Sequence, residues 1–345
     1  MTSTLLRPDT DLDLDLTARF AGIVDELTRR GFLGVGAGTA ALVGLAACGT
    51  DKAAPQATAP STRTIETAKG RVRVPATPRR VVCLDPGFSW QTLLEVGLTP
   101  VGLPFVLDSL VQPVNLAKVR GVASAVTSAG EPDLERIASL RPDLILASSG
   151  SDLDKVYGRL TAIAPVAAYA FDYPSDWIEL AHEYANAVNR VQQLASVEAA
   201  YQAKVAQLKA QHGTTIAAQR WALVTESDKQ VYVWGARSSA GPVLADAGAA
   251  FSSGAPGDGS PYTQLSLEKL DTLSDATVIL YGQGTDGKPY LDTGSLLDEP
   301  GFKLLPAVKA GHVYPLPSWF AYCYQDAVAQ VAGIAAACQR LEAGR

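Results

Sequence analysis

The sequence predicts an α/β protein built as two similar lobes with mainly parallel sheets, joined by one long helix, and three observations carry that expectation. The stretch "LERIASLRPDLILASS" (Leu134 to Ser149) returns as "LEKLDTLSDATVILYG" (Leu267 to Gly282) at a constant offset. It pairs Leu134 with Leu267, Glu135 with Glu268, Ile137 with Leu270, Leu140 with Leu273, Ile145 with Val278 and Leu146 with Ile279. Asp133 and Ser266, one residue before each copy, are both good helix N-cap residues. Short apolar runs alternate with helical stretches around each copy, the pattern of parallel strands covered on both faces. Between the copies, Asp176 to Gln211 is helical by composition, with Ile178, Ala181, Tyr184, Val188, Val191, Tyr201, Val205 and Leu208 at three- and four-residue steps.

In chain order, the first feature is an export address. "TRRGFLG" carries a twin arginine, Arg29-Arg30, ahead of an uncharged run from Gly31 to Ala47 that closes in "LAAC" at Cys48. That run is shorter than the ~20 apolar residues needed to span a bilayer, and glycines dilute it. A cleaved signal over residues 1–47 is therefore expected rather than a membrane helix. The acidic "DTDLDLDL" segment before Arg29 is atypical of such signals. Residues 48–62 are small, polar and Pro/Ala-rich, a tether with nothing to bury.

"TIETAKGRVRVP" (Thr64 to Pro75) alternates about a Lys-Gly turn and reads as an edge hairpin. Strands are expected in "VVCLD", "PVGLP", "DLILASS" and "PVAAYAF", with helices in "SWQTLLEVG" and "DLDKVYGRLTAI"; these complete a first lobe over residues 63–173. The connecting helical segment covers 174–213, with a bend expected near Asn189 and an end at His212-Gly213. A second lobe, 214–345, contains "RWALVTE", "QVYVWG", the helix "SAGPVLADAG", "TVILYG", "VYPLP" and a last helix from about Tyr322 to Leu341.

Composition narrows the chemistry. A net charge of −6 and an isoelectric point near 5.2 leave no basic stripe for nucleic acid. Four cysteines are present; Cys323 and Cys338 fall near the two ends of one expected helix, ~22 Å apart, too far to bond each other. Pairing of Cys83 with either is left open. "GQGTDGK" (Gly282 to Lys288) imitates a phosphate-binding loop, but Pro289 stands where Ser or Thr is needed and no helix follows, so it reads as a flexible loop at a cleft edge. Direct metal binding needs clustered imidazoles and carboxylates. The three histidines, His182, His212 and His312, are too scattered to converge. No G-x-S-x-G elbow and no spaced Cys/His or Ser/His pair points to catalysis, so no cofactor and no catalytic residue is expected.

Taken in order, the lipoprotein-like signal, "PRRVVCLD", "LLEVGLTPVGLP", "LERIASLRPDLILA", the lone spanning helix and "LPAVKAGHVYPLP" resemble a class III substrate-binding lipoprotein of an ABC importer for ferric siderophores, haem or cobalamin. The resemblance covers residues 63–345. It implies two Rossmann-like lobes bridged by one helix, with ligand held between them and only modest closure. It also implies a lipid on Cys48, a place on the outer face of the cytoplasmic membrane and a monomeric receptor that docks on a permease. The docking role falls on Glu135 in "LERI" and Glu268 in "LEKL". A carboxylate suits an arginine fork, and two similar lobes suit a permease of two similar halves. For either glutamate alone, a favourable place in a helix's first turn is sufficient reason to exist.

Ligand-facing residues are expected in loops after the carboxyl ends of strands. That selects Phe88, Trp90, Phe105, Phe171 and Tyr173 in the first lobe, and Arg237, Tyr262, Trp319 and Tyr322 in the second. Phe88, Trp90 and Phe171 are equally compatible with a core. Arg237 is the one clear cation, and a guanidinium binds chelate oxygens well. A ferric tris-catecholate carries several negative charges and needs a cluster of cations. A near-neutral ferric hydroxamate needs aromatic walls and one or two donors, so a hydroxamate siderophore is favoured. Cobalamin and haem stand behind it, with Tyr262 as a possible axial ligand for haem. An enzyme acting on a ferric chelate is the alternative of another class.

Overall fold

The structure, a computed structural model, describes residues 61–257 and 259–344. The expected signal with Arg29 and Arg30, the lipidation site Cys48, and all but the last two residues of the tether lie outside the described residues. No helix among the described residues is long and apolar enough to cross a membrane.

The opening hairpin, β1 (Thr62–Thr67) and β2 (Gly70–Pro75), forms a two-stranded sheet of its own. Thr67 pairs with Gly70, leaving Ala68-Lys69 as the turn, and Gly70 takes φ +89°, where glycine pays no Cβ penalty.

The first lobe is an all-parallel sheet of β3 (Val81–Cys83), β4 (Gly102–Leu103), β5 (Ala123–Ser124), β6 (Leu144–Ser148) and β7 (Val166–Tyr169). Its order is β5-β4-β3-β6-β7. The expected four strands are present; β5, in "VASAV", has two residues and too little apolar character to announce itself.

The helical segment breaks where a bend was expected. One helix covers Trp177–Ala187 and the bridging helix covers Val191–Ala217, with Asn189 between them at φ +58°, a conformation that asparagine tolerates. The bridging helix runs past the expected stop at Gly213. A helical glycine costs only about 1 kcal/mol, and His212, Thr215 and Ile216 continue the buried stripe. Its 27 residues reach about 40 Å.

The second lobe holds β8 (Arg220–Ser227), β9 (Gln230–Trp234), β10 (Ala250–Phe251), β11 (Tyr262–Ser266), β12 (Val278–Gln283) and β13 (Val313–Pro317). The order is β11-β9-β8-β12-β13, with β10 beside β8. Here β9 runs antiparallel to both β8 and β11, while β12 is parallel to β8 and β13. The cause is local: Asp228 and Lys229 take φ +51° and +60°, a two-residue hairpin turn that can only join antiparallel strands. The last helix, Tyr324–Ala343, packs on β13 and the bridging helix.

The echoed strands β6 and β12 are interior strands of their sheets. The helices before them differ: Leu134–Ser139 is α-helical, whereas Leu267–Leu273 is a 3-10 helix kinked at Lys269. Asp133 caps the first by accepting from Arg136 N at 3.0 Å, but the Ser266 side chain makes no such bond. Cys83, Cys323 and Cys338 are all free and buried. One core joins the inner faces of both sheets to the bridging and last helices, and each lobe keeps a second core on its outer face.

Candidate functional site

Loops at the sheet ends, with the ends of β9 and β11, bring an unbroken chain of rings across the seam between the lobes. Phe171 meets Phe88 at 5.2 Å between ring centroids, Phe88 meets Tyr322 at 5.1 Å, and Tyr322 meets Phe320 at 4.8 Å. The chain continues from Phe320 to Trp319 at 5.4 Å, to Trp234 at 4.9 Å and to Tyr262 at 5.1 Å, with Tyr290 beside Trp319 at 5.1 Å. Most pairs are tilted or edge-on, which aromatic quadrupoles favour. Two glycines permit the approach. A Cβ on Gly87 would lie 2.3 Å from the Tyr322 ring, and one on Gly282 would lie 3.0 Å from the Trp319 ring.

Polar groups border this chain. The Arg237 guanidinium lies 4.1 Å from the centroid of the Tyr173 ring, a cation–π contact between loops of the two lobes. The backbone holds it there: Ser175 N donates to Arg237 O at 3.2 Å, and Trp177 Nε1 donates to Ser239 O at 2.9 Å. The Trp319 indole N–H is buried without a partner among the described residues. Burial raises Tyr290 and Tyr322 above the usual phenol range, so both stay neutral donors. Among the described residues no group of three His, Cys, Asp or Glu side chains is placed to hold a metal. His182 faces Glu198, His212 faces Glu342 and His312 faces Thr277 O. Chemically, this is a band of packed rings whose outer members, Phe171, Trp234, Tyr262, Tyr290 and Phe320, reach the surface, with neutral phenol hydroxyls and the Arg237 guanidinium beside them.

Of the residues expected from sequence, Tyr262, Trp319 and Tyr322 belong to this chain, and Arg237 pairs with Tyr173 two residues beyond its Phe171 end. Tyr262 is 37% exposed, while Trp319 at 3% lies beneath its neighbours. Trp90 departs from expectation: it is 1% exposed, with Nε1 on Pro86 O at 3.4 Å, and belongs to the core of the first lobe. Phe105, 56% exposed, stands apart from the rings beside a depression of about 410 Å³ lined by Ser124 and Val126 to Gly130. Sequence reasoning missed Trp234, Tyr290 and Phe320. The alternation of Tyr232 and Trp234 with buried Val231 and Val233 was the available signal for Trp234. Nothing local marks Tyr290 in "KPYLD".

Behind the rings the lobes are tied by buried polar contacts. The Glu95 carboxylate of the first lobe accepts from Tyr324 N at 3.2 Å and Gln325 N at 2.5 Å, capping the last helix of the second. Gln112 Nε2 donates to Ser318 Oγ at 2.6 Å and to Asp326 Oδ1 at 3.1 Å, and Asn115 Nδ2 donates to Gln325 Oε1 at 2.8 Å. Burial pushes both Glu95 and Asp326 up to about 7, against these hydrogen bonds.

Glu135 and Glu268 are both exposed in the first turns of their helices. Each helix runs back to the start of a parallel strand, so its first turn lies at the carboxyl end of the sheet, the end that also carries Phe88, Phe171 and Trp319. Glu135 borders a depression of about 770 Å³ that also takes in Glu131, Asp133, Lys155 and Arg159.

Comparison with known proteins agrees with this architecture. The chain is 28% identical over 287 residues to the iron(3+)-hydroxamate-binding protein FhuD of Bacillus subtilis, covering 80% of this chain and 86% of that protein. It is 27% identical over 267 residues to the Fe(3+)-citrate-binding protein YfmC of the same organism, covering 73% and 77%. The siderophore periplasmic binding protein from the fuscachelin gene cluster of Thermobifida fusca superposes with a TM-score of 0.69 at 26% identity, covering 77% of this chain and 98% of that one. The periplasmic binding protein family model matches residues 83–319. With that match over most of its length, the chain belongs to the periplasmic binding protein family.

Proposed function

We propose that the protein is an exported, lipid-anchored receptor that captures a ferric siderophore of hydroxamate type between its lobes and delivers it to the permease of an ABC importer. The carrying observation is the ring chain from Phe171 to Tyr262, with the Arg237 guanidinium on Tyr173, two residues beyond Phe171. Aromatic faces bury the apolar arms of a large chelate, and a single guanidinium matches a ligand of low charge. The hydroxamate named for the Bacillus relative supports this choice; the citrate named for the other marks the anionic alternative. The chelated iron is cargo, and the protein acts by binding, with no bond made or broken. Cys48 carries the anchor, and Glu135 and Glu268 meet arginines of the permease.

The test is quenching of tryptophan fluorescence by ferric ferrioxamine B, ferric enterobactin, ferric citrate, haem and cobalamin. Tight binding is expected for the hydroxamate and weak binding for the catecholate. Preference for enterobactin, or for haem or cobalamin over the hydroxamate, would overturn the assignment.

A further inference from the structure

The loop that imitates a phosphate-binding motif does something else. Its tip is closed on itself: Gly284 N donates to Lys288 O at 2.9 Å, Gly287 N to Gly284 O at 3.1 Å, and Gln283 Nε2 to Gly287 O at 2.8 Å. Gly287 supplies the left-handed turn at φ +78°. This braced tip of the second lobe reaches the first lobe at the 3-10 turn Asp108–Leu110, just beyond β4. Thr285 N donates to Ser109 O at 2.8 Å. The Thr285 hydroxyl, with one proton to share, lies 2.9 Å from Val111 O and 3.1 Å from Asp108 O. The fit is close, because a Cβ on Gly284 would stand 2.9 Å from Ser109 O.

Topology gives this contact its meaning. In the first sheet, β4 and β7 lie on opposite sides of β3, whose following loop carries Phe88. The loop after β7 reaches the second lobe through Tyr173, on Arg237 and on Gly259 O at 3.4 Å. The loop after β4 reaches it through Thr285. The seam is therefore bridged on both flanks of the rings. The Glu95 carboxylate behind them caps a whole helix beside the buried Asn115, Ser318 and Asp326, whereas the Thr285 contact rests on a few neutral hydrogen bonds at half-buried and exposed atoms.

We propose that the Gly284–Lys288 loop is a clasp that holds the lobes together over a bound ligand, with Thr285 as the positioning residue that sets the rate of release. The role in release rests on the binding function proposed above; closure of the ligand-free protein does not. Thr285→Val keeps the shape and removes the hydroxyl, and Thr285→Ser restores it. With ferric ferrioxamine B as probe, release from preloaded Thr285→Val should be about tenfold faster, with association little changed and Thr285→Ser close to wild type. In the ligand-free protein, residue-resolved amide exchange should show the amide at position 285 exchanging faster in Thr285→Val, while those of Gly284 and Gly287, bonded within the tip, keep their protection. Unchanged exchange at position 285 would overturn the clasp, as would unchanged release by a protein that binds the probe. A wild-type protein that ignores the probe would overturn the binding function instead, and amide exchange would still decide the clasp.

Discussion

The two lobes share one helix-and-strand plan and use it differently. The first has an all-parallel sheet and contributes two rings to the chain, Phe88 and Phe171. The second turns β9 antiparallel and places Trp234 and Tyr262 side by side, with Trp319, Phe320, Tyr322 and Tyr290 on loops next to them. It also carries Arg237. The first lobe instead provides the Glu95 cap and the carbonyls that Thr285 meets. Most of the ring chain therefore belongs to the second lobe, and the first meets it with two rings and a set of hydrogen-bonding groups.

Substitutions on the two sides should differ in size. Trp319→Ala empties a buried site between three rings and should cost about 3–5 kcal/mol of stability as well as affinity. Phe171→Ala, at the half-buried end of the chain, should cost less than half of that by thermal melting. Equal losses would mean that the lobes share the rings evenly. Arg237→Ala should weaken ferric hydroxamate binding by about 1–3 kcal/mol in calorimetry while leaving the melting temperature close to wild type. Wild-type affinity would remove Arg237 from the cleft.

The seam between the lobes should be sensitive to pH. Glu95 and Asp326 have native values raised to about 7 from ordinary values of 4.5 and 3.8, so the native state holds their protons more tightly than the unfolded chain. Their contribution is fully present at low pH and is lost as pH rises through about 7, with a slope of up to about 1.4 kcal/mol per pH unit for each group. Glu95→Gln should flatten the fall in stability between pH 5 and 7.5. An unchanged slope in urea titrations would show that the Glu95 carboxylate is not strained by burial.

The smallest structural effect is expected at the echoed glutamates. Glu135→Lys and Glu268→Lys should each cost about 0.3–1 kcal/mol, more at Glu135, which begins a capped α-helix, than at Glu268 on a kinked 3-10 turn. The double variant should keep its affinity for ferric siderophore and lose uptake into cells, because lysines would face permease arginines. Normal uptake would return both glutamates to local helix electrostatics.

Much of this arrangement is legible in the sequence because periodicity and punctuation speak for whole elements. The repeated "LE" helix starts mark the two lobes, and Asn189 marks the break before the bridging helix. Strand-end position picked out Tyr262, Trp319 and Tyr322, which lie along one chain of rings, and Arg237, which pairs with Tyr173. Trp90 shows the limit, since an aromatic after a strand can face the sheet as readily as the cleft. Contacts that depend on the other lobe left no local trace. Glu95 reads as an ordinary helix-end residue until the last helix is placed above it. Thr285 reads as a residue in a loose glycine loop until Ser109 is placed beside it.

The most direct test uses the iron itself. High-spin ferric ion broadens the magnetic resonance signals of nearby nuclei, so spectra of protein saturated with ferric ferrioxamine B, compared with its diamagnetic gallium counterpart, locate the metal. Selective loss of amide signals is expected in both lobes at once, at Phe88, Phe171 and Tyr173 on one side and at Trp234, Arg237 and Trp319 on the other. Broadening confined to one lobe, or centred on the depression beside Phe105, would contradict a ligand site in the ring-lined seam.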